Sequence, residues 1–300
     1  MSTEHEVATD PAGTSSHIVV GVDGSPDGTA ALRWAAAQAG RTGRGLRLVT
    51  AFGPNHQFID NREARVLMEN TITEATREAL DVAPGVTITH SENLGDPRAV
   101  LVEESRDADL LVVGSRGKGG FAGLALGSVS RGCAHACTCP VVVVRAPHGQ
   151  AESSGLESGS PRIVVGVDGS TSSNAALLWA ALEADLTGAT LEALTTWDWV
   201  QDYGWGFVIP PDLDPAADSQ GVLERALEPV RAAFPDIALE PAVVEGPAAQ
   251  LLVKASVEAD LIAVGSRGHS ELRDVLLGSV AEFCVTHAQC PVLVMHNPGG

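Results

Sequence analysis

Short runs of β-branched and other apolar residues alternate along the chain with longer stretches whose apolar positions recur every three or four residues. Ile18–Val22 is a short apolar run of the kind that forms a buried parallel strand. A helical pattern follows, with Ser25 as N-cap, Pro26 in the first turn, and Ala30, Ala31, Trp34 and Ala37 on one side. Leu46–Phe52 predicts a second strand, Glu63–Leu80 a helix and Val86–His90 a third strand. Asp96 and Pro97 open a helix running through Arg106, Leu110–Val113 predicts strand four, Gly127–Ala136 a helix, and Val141–Val144 strand five. Alternating strand and helix predicts a parallel sheet with right-handed crossovers and helices on both faces.

This plan is written twice. The octapeptide Ile18–Ser25 recurs unchanged as Ile163–Ser170, and Asp109–Gly117 recurs with two changes as Asp260–Gly268. Leu126–Val129 returns as Leu277–Val280, and Cys139-Pro140-Val141 as Cys290-Pro291-Val292. Equivalent residues are 145 apart at Asp23 and Asp168 but 151 apart at Gly114 and Gly265. Six residues were therefore gained in between, most plausibly in the Trp- and Pro-rich stretch Thr196–Gln220. Ordered matches of this length mark a duplication. The expected organisation is a disordered tail (1–16), a first domain (17–146), a Ser-, Gly- and Pro-rich linker (147–161) and a second domain (162–297).

Composition narrows the function. The 300 residues suffice for two ordinary domains, and 44 % hydrophobic with 19 % charged residues describes a globular chain rather than a disordered one. A net charge of −19 argues against nucleic acid and anionic membranes as partners, since both need basic patches. It leaves nucleotides open, because phosphate sites are built from local backbone N–H groups. The N-terminus has neither the basic nor the apolar region of a secretion signal, and no apolar run approaches the ~20 residues that span a bilayer. Five cysteines, an odd number, suit reduced thiols. A cytoplasmic protein is expected.

The repeated motifs fall at the carboxyl ends of predicted strands one and four, where open α/β sheets bind ligands. Each has the form Gly-x-x-Gly, nine residues, then Gly-Ser: Gly114, Gly117, Gly127 and Ser128 in the first half, Gly265, Gly268, Gly278 and Ser279 in the second. Gly114 and Gly117 are expected to adopt positive φ and bring backbone N–H groups close to an anion. Gly127-Ser128 sits where a helix begins, so its unpaired N–H groups and dipole favour phosphate. Arg116 and Arg267 add a charge that would clamp it. The plainer alternative is that these glycines only make turns; the same spacing appearing twice favours phosphate. A Walker A loop is excluded because Lys118 is followed by Gly119 rather than Ser or Thr. A nicotinamide fingerprint would need an acidic residue after strand two, where Ala51-Phe52 and Thr196-Trp197 stand.

Asp23 and Asp168 either cap a turn or contact a ribose or metal ion, and their recurrence before Gly-Ser favours the contact. Cys133, His135, Cys137 and Cys139 suggest zinc, but the second half has Cys284, Thr286, Ala288 and Cys290 there, so only two thiols recur and no metal site is expected. Trp197, Trp199, Tyr203, Trp205 and Phe207 read as a cover over the second sheet, an interface patch or a stacking surface.

Taken together, the glycine loop, the Asp after strand one and the Cys-Pro-Val at the last strand resemble the universal stress protein family. The likeness is to its two-copy, ATP-binding branch found in actinobacteria, and it covers Ile18–Arg145 and Ile163–Met295. It implies two Rossmann-like domains of the adenine-nucleotide α-hydrolase kind, each a five-stranded parallel sheet in order 3-2-1-4-5 with ATP at the switch point. By the same resemblance adenine and ribose contacts fall on Gly21, Asp23, Gly166 and Asp168. Phosphate contacts fall on Gly114, Ser115, Arg116, Gly117, Lys118, Gly127, Ser128, Val129 and Ser130 in the first half. In the second they fall on Gly265, Ser266, Arg267, Gly268, His269, Gly278, Ser279 and Val280. Magnesium would accompany the ATP.

The function expected is ATP-binding regulation in stress response or growth arrest, exercised through a protein partner that the sequence does not name. No catalytic arrangement recurs in both halves, so at most slow ATP hydrolysis is expected. The alternatives are an ATP-dependent enzyme of the adenine-nucleotide α-hydrolase type and a scaffold with vestigial sites. The enzyme type would carry Ser-Gly-Gly after strand one, which Val22–Ser25 lacks. Apolar Val141–Val144 and Val292–Met295 are expected at sheet edges that pair across the halves, with further association to a homodimer. Tighter ATP binding is expected at the first site, which carries Lys118, Ser130 and Arg131 where the second has His269, Glu271, Ala281 and Glu282.

Overall fold

In a computed structural model, describing residues 16–53, 61–118, 125–146, 160–198, 214–268 and 277–297, the apolar runs form strands and the periodic stretches helices. The first half runs β1 (His17–Gly21), α1 (Pro26–Thr42), β2 (Gly45–Phe52), α2 (Asn61–Val82), β3 (Ile88–Leu94), α3 (Pro97–Glu104), β4 (Leu110–Gly114), α4 (Ser128–Ala136) and β5 (Val141–Val144). The second repeats it as β6 (Arg162–Gly166), α5 (Thr171–Thr187), β7 (Thr190–Trp197), α6 (Pro215–Ala233), β8 (Leu239–Glu245), α7 (Ala248–Ala255), β9 (Leu261–Gly265), α8 (Ser279–His287) and β10 (Val292–Met295).

Within each half the strands are parallel in the order 3-2-1-4-5. Antiparallel pairing of β5 with β10 joins them into one ten-stranded sheet, as the apolar edges predicted. Successive strand residues feed two cores. Val20, Leu48 and Val112 pack with α1 and α2, whereas Val19, Leu111 and Val113 pack with α3 and α4. Both cores run through both halves, so the two domains share their interior. No helix among the described residues is long and apolar enough to cross a membrane.

Local signals act as the sequence predicts. The Ser25 hydroxyl accepts from the Gly28 amide at 3.0 Å and caps α1, and Gly43 ends it at φ +68°. Asp96 caps α3 by accepting from the Ala99 amide. The third strand differs: it spans Ile88–Leu94, not Val86–His90. It is an outer strand of the sheet, paired among the described residues with β2 alone, so Ser91, Glu92 and Asn93 need no apolar face. Its counterpart β8 tolerates Pro241 for the same reason, since one side of an edge strand needs no donor. The 145-residue spacing holds through β7, and 151 already applies between Ile72 and Leu223 in the cores of α2 and α6. The six-residue gain therefore lies between them. Trp199, Tyr203, Trp205 and Phe207 are outside the described residues.

The joint between halves has approximate two-fold symmetry. Val142 pairs with Leu293, its own equivalent 151 residues on. Beside this axis Gln38 donates to Glu183 at 2.6 Å, and Arg41 donates to the same carboxylate at 3.0 Å. On the other face Arg131 and His135 meet Glu282 at 3.0 and 2.8 Å. His296 sets its ring nitrogens 2.9 and 3.0 Å from the Cys139 and Ala134 carbonyls, and Arg145 donates to the Thr286 carbonyl.

Candidate functional site

The strand order reverses between β1 and β4, and between β6 and β9, and the repeated motifs meet at these two points. In the second half they frame a cleft of about 380 Å³. Gly166 and Asp168 enter from the end of β6, Thr195 and Thr196 from β7, and Gly265, Arg267 and Gly268 from the loop after β9. Gly278, Ser279 and Val280 bring the start of α8. Val167, Leu194, Val222 and Leu252 supply apolar wall. A volume of this size falls in the range of small-molecule sites.

The start of α8 carries no side-chain cap. Gly278 is its N-cap and offers no side-chain cap, and Gly127 does the same for α4. The dipole end and first-turn N–H groups are left for another acceptor. The loop is folded back under the helix by the Gly127 amide donating to the Ser115 carbonyl at 2.8 Å, matched by Gly278 to Ser266 at 2.6 Å.

The glycines are required for a different reason from the one expected. Neither Gly114 nor Gly117 has positive φ; that role falls to Gly24 and Gly169, at +69° and +84°, in the Asp-Gly-Ser turn. Gly114 is needed because a Cβ there would lie 2.6 Å from the Asp27 carbonyl carbon and 2.7 Å from the Gly28 nitrogen. A Cβ on Gly117 would lie 2.6 Å from Asp23 Oδ2, and one on Gly268 2.5 Å from Asp168 Oδ2. Close approach, not handedness, selects glycine here.

Asp23 does cap its turn: Oδ1 accepts from the Ser25 amide at 2.9 Å and hydroxyl at 2.6 Å, while Oδ2 accepts from the Lys118 amide at 2.9 Å. It thereby ties the first turn to the glycine loop. Asp168 accepts from the Ser170 amide at 2.9 Å and also lines the cleft. Gly21 and Gly166 sit at their strand ends against Leu101 and Leu252, at 3.1 and 3.0 Å from where a Cβ would be.

Asp27, which sequence reasoning missed, lies beneath the first loop and is only 3 % exposed. Its carboxylate accepts from Ser115 Oγ at 2.6 Å, the Ala146 amide at 3.1 Å and Arg116 Nε at 3.3 Å. Burial opposes its ionisation, but these hydrogen bonds outweigh that and hold its carboxyl below the usual range. The signal was present: Asp27 and Ser172 differ two positions after the identical octapeptides.

Two of the groups credited to the first site, Arg131 and Ser130, are used elsewhere. Arg131 and Glu282 pair with each other across the joint. Ser130 donates to the Ser115 and Gly127 carbonyls. The Lys118 side chain lies beside Gly24, with Nζ 2.8 Å from where that residue's Cβ would be. Of the expected electrostatic advantage of the first site, Lys118 stays beside the turn, while Arg131 and Ser130 are engaged with other groups. His269 and Glu271 lie outside the described residues. The cysteines are all buried; His135 is turned to Glu282, and among the described residues no group of three or more His, Cys, Asp or Glu is arranged for a metal ion.

A profile of the universal stress protein family matches residues 14–145 and again 160–296. The chain belongs to the universal stress protein family. It is 34 % identical to a universal stress protein of Mycobacterium tuberculosis strain H37Rv, over 94 % of this chain and 96 % of that one. To one from Mycolicibacterium smegmatis it is 31 % identical, over 94 % and 97 %. The solved structure of a universal stress protein from Archaeoglobus fulgidus is similar with a TM-score of 0.69 at 22 % identity, covering 95 % of this chain and 99 % of that chain. That likeness is one of fold.

Proposed function

We propose that this universal stress protein binds ATP, one molecule per half, and acts as a regulator in stress response or growth arrest through a protein partner. The observation that carries the reading is the convergence, in one cleft, of an uncapped helix start, a glycine loop and an arginine, beside an Asp at the strand end. Helix start and Arg267 suit phosphates, Asp168 suits a ribose hydroxyl, and the Val167, Leu194 and Val222 wall suits an adenine ring. The donor set fits a nucleotide that brings its own magnesium, with Asp168 the carboxylate beside the loop.

Two measurements test it. Nucleotide released by acid from the purified chain should be adenine nucleotide, and Gly268→Glu, which crowds Asp168 and adds like charge, should remove one site by calorimetry. Absence of nucleotide and of ATP binding in the unmodified chain would favour the scaffold reading.

We also propose a homodimer, formed through α5. Leu178, Leu182 and Leu186 line its outer side at 41, 41 and 44 % exposure, where α1 carries Arg33, Ala37 and Arg41. Sedimentation should show a dimer that Leu182→Glu dissociates.

A further inference from the structure

The two halves differ most sharply in the polar group beneath the phosphate loop. In the first, Ser115 Oγ, Arg116 Nε and the Ala146 amide all donate to the Asp27 carboxylate. In the second, Ser172 stands in that place, and its hydroxyl donates to the Arg267 carbonyl at 2.6 Å. Ser266 Oγ and Arg267 Nε, the equivalents of the first half's donors, are then buried without a hydrogen-bond partner among the described residues. Buried donors are rarely left so, and an arginine whose Nε lacks an acceptor at a cleft wall suits an anion from outside. Arg267 lines the cleft, and so does Ser219. The equivalent of Ser219 is Met68, only 2 % exposed, so the first half places a larger apolar side chain there.

Resting on the nucleotide reading, we propose that residue 27 in the first half and residue 172 in the second set the phosphate affinity of their sites, making the second the tighter. Ser172 leaves Arg267 unclaimed for a ligand phosphate. Asp27 occupies Arg116 with a resident carboxylate that an incoming phosphate must share and whose negative charge it meets. The same exchange acts oppositely on the empty protein: Asp27 satisfies its buried donors without ligand, whereas the second loop gains an acceptor when an anion arrives. Ligand-induced stabilisation is therefore concentrated in the second half.

The test uses the full chain with ATP as probe, Gly117→Glu or Gly268→Glu serving to silence one site at a time. Ser172→Asp should weaken ATP at the second site at least about tenfold, about 1.4 kcal/mol, and raise the melting temperature of the ligand-free chain. Asp27→Ser should do the reverse at the first site. An aspartate already fits against Gly114, so Ser172→Asp against the equivalent Gly265 should fold. Ser172→Asn, which accepts hydrogen bonds without the charge, should lose less affinity than Ser172→Asp and provides a second reading. Unchanged ATP affinity in Ser172→Asp and Ser172→Asn, with the unmodified chain binding ATP, overturns this proposal alone. Failure of the unmodified chain to bind ATP overturns the nucleotide reading, and this proposal with it.

Discussion

Gly114→Ala and Gly117→Ala lie three residues apart in one loop and should have separable effects. At Gly114 the new Cβ meets backbone: the Asp27 carbonyl carbon at 2.6 Å, the Gly28 nitrogen at 2.7 Å and the Asp27 oxygen at 2.8 Å. Ordinary contact begins near 3.4 Å, so the first turn of α1 must retreat by about 0.8 Å. Asp27 would be drawn away from Ser115, Arg116 and Ala146 as it moves. Overpacking of this kind costs about 1–3 kcal/mol, and disturbing a buried carboxylate's partners places the expectation in the upper part, about 2–3 kcal/mol. In a chain of this size that lowers the melting temperature by roughly 3–5 °C. At Gly117 the Cβ meets only Asp23 Oδ2, the end of a side chain. That carboxylate can rotate away, so less than about 1 kcal/mol of stability is lost, while the turn-to-loop tie is broken and nucleotide binding at the first site should fall. Urea unfolding of nucleotide-free protein measures the first quantity and calorimetry the second. Equal destabilisation by the two changes, or Gly114→Ala within 0.5 kcal/mol of the unmodified chain, would refute the assignment of Gly114 to packing and Gly117 to the ligand side.

Three other outcomes follow from single contacts. Because the Asp27 carboxyl is held below its ordinary range in the folded state, it stabilises the fold above the unfolded pKa of about 4 and loses that contribution as pH falls through the folded value. The advantage of the unmodified chain over Asp27→Asn, followed by thermal melts, should thus be full at pH 7 and fade in acid. Burial pushes the Cys284 and Cys290 thiols up to about 12, so iodoacetamide at pH 8 should label them only after unfolding. Glu282→Arg would set an arginine against Arg131 at the joint and should lower the unfolding midpoint, with Arg131→Glu added in the same chain restoring it. Failure of that double reversal to recover would remove the pair from the account of the joint.

The fold was legible where one physical rule dominated. β1 and β4 are buried on both faces and read as unbroken apolar runs, α1 carries its N-cap and first-turn proline, and the duplicated motifs marked the strand ends. The outer strands β3 and β8 were legible only in part, because an edge with one neighbour accepts Ser, Glu, Asn and Pro. At the site, residue type was readable but the reason for it was not. A glycine required by an approaching backbone looks identical in sequence to one required by positive φ. Likewise Arg131 resembles a phosphate ligand until β5 is laid beside β10 and Glu282 comes opposite.

Laying those strands together explains why the halves were able to diverge. Across an axis through Val142 and Leu293, Gln38 meets its own equivalent Glu183, and Arg131 meets its own equivalent Glu282. In a symmetric dimer of identical domains those positions would oppose like with like, Arg against Arg or Glu against Glu. A tandem chain escapes that restriction and holds complementary pairs there, which favours the joining of unlike halves over the pairing of two first halves. The same freedom extends to the two glycine loops. Opposite strand directions place them at opposite ends of the sheet, and the contacts at each loop described above come from its own half. Asp27 and Ser172 therefore differ without disturbing the shared joint. Identical subunits would have to carry the same residue at both sites. Only the duplicated chain can keep the buried donors of one glycine loop satisfied from within while leaving Ser266 Oγ and Arg267 Nε of the other without a partner among the described residues.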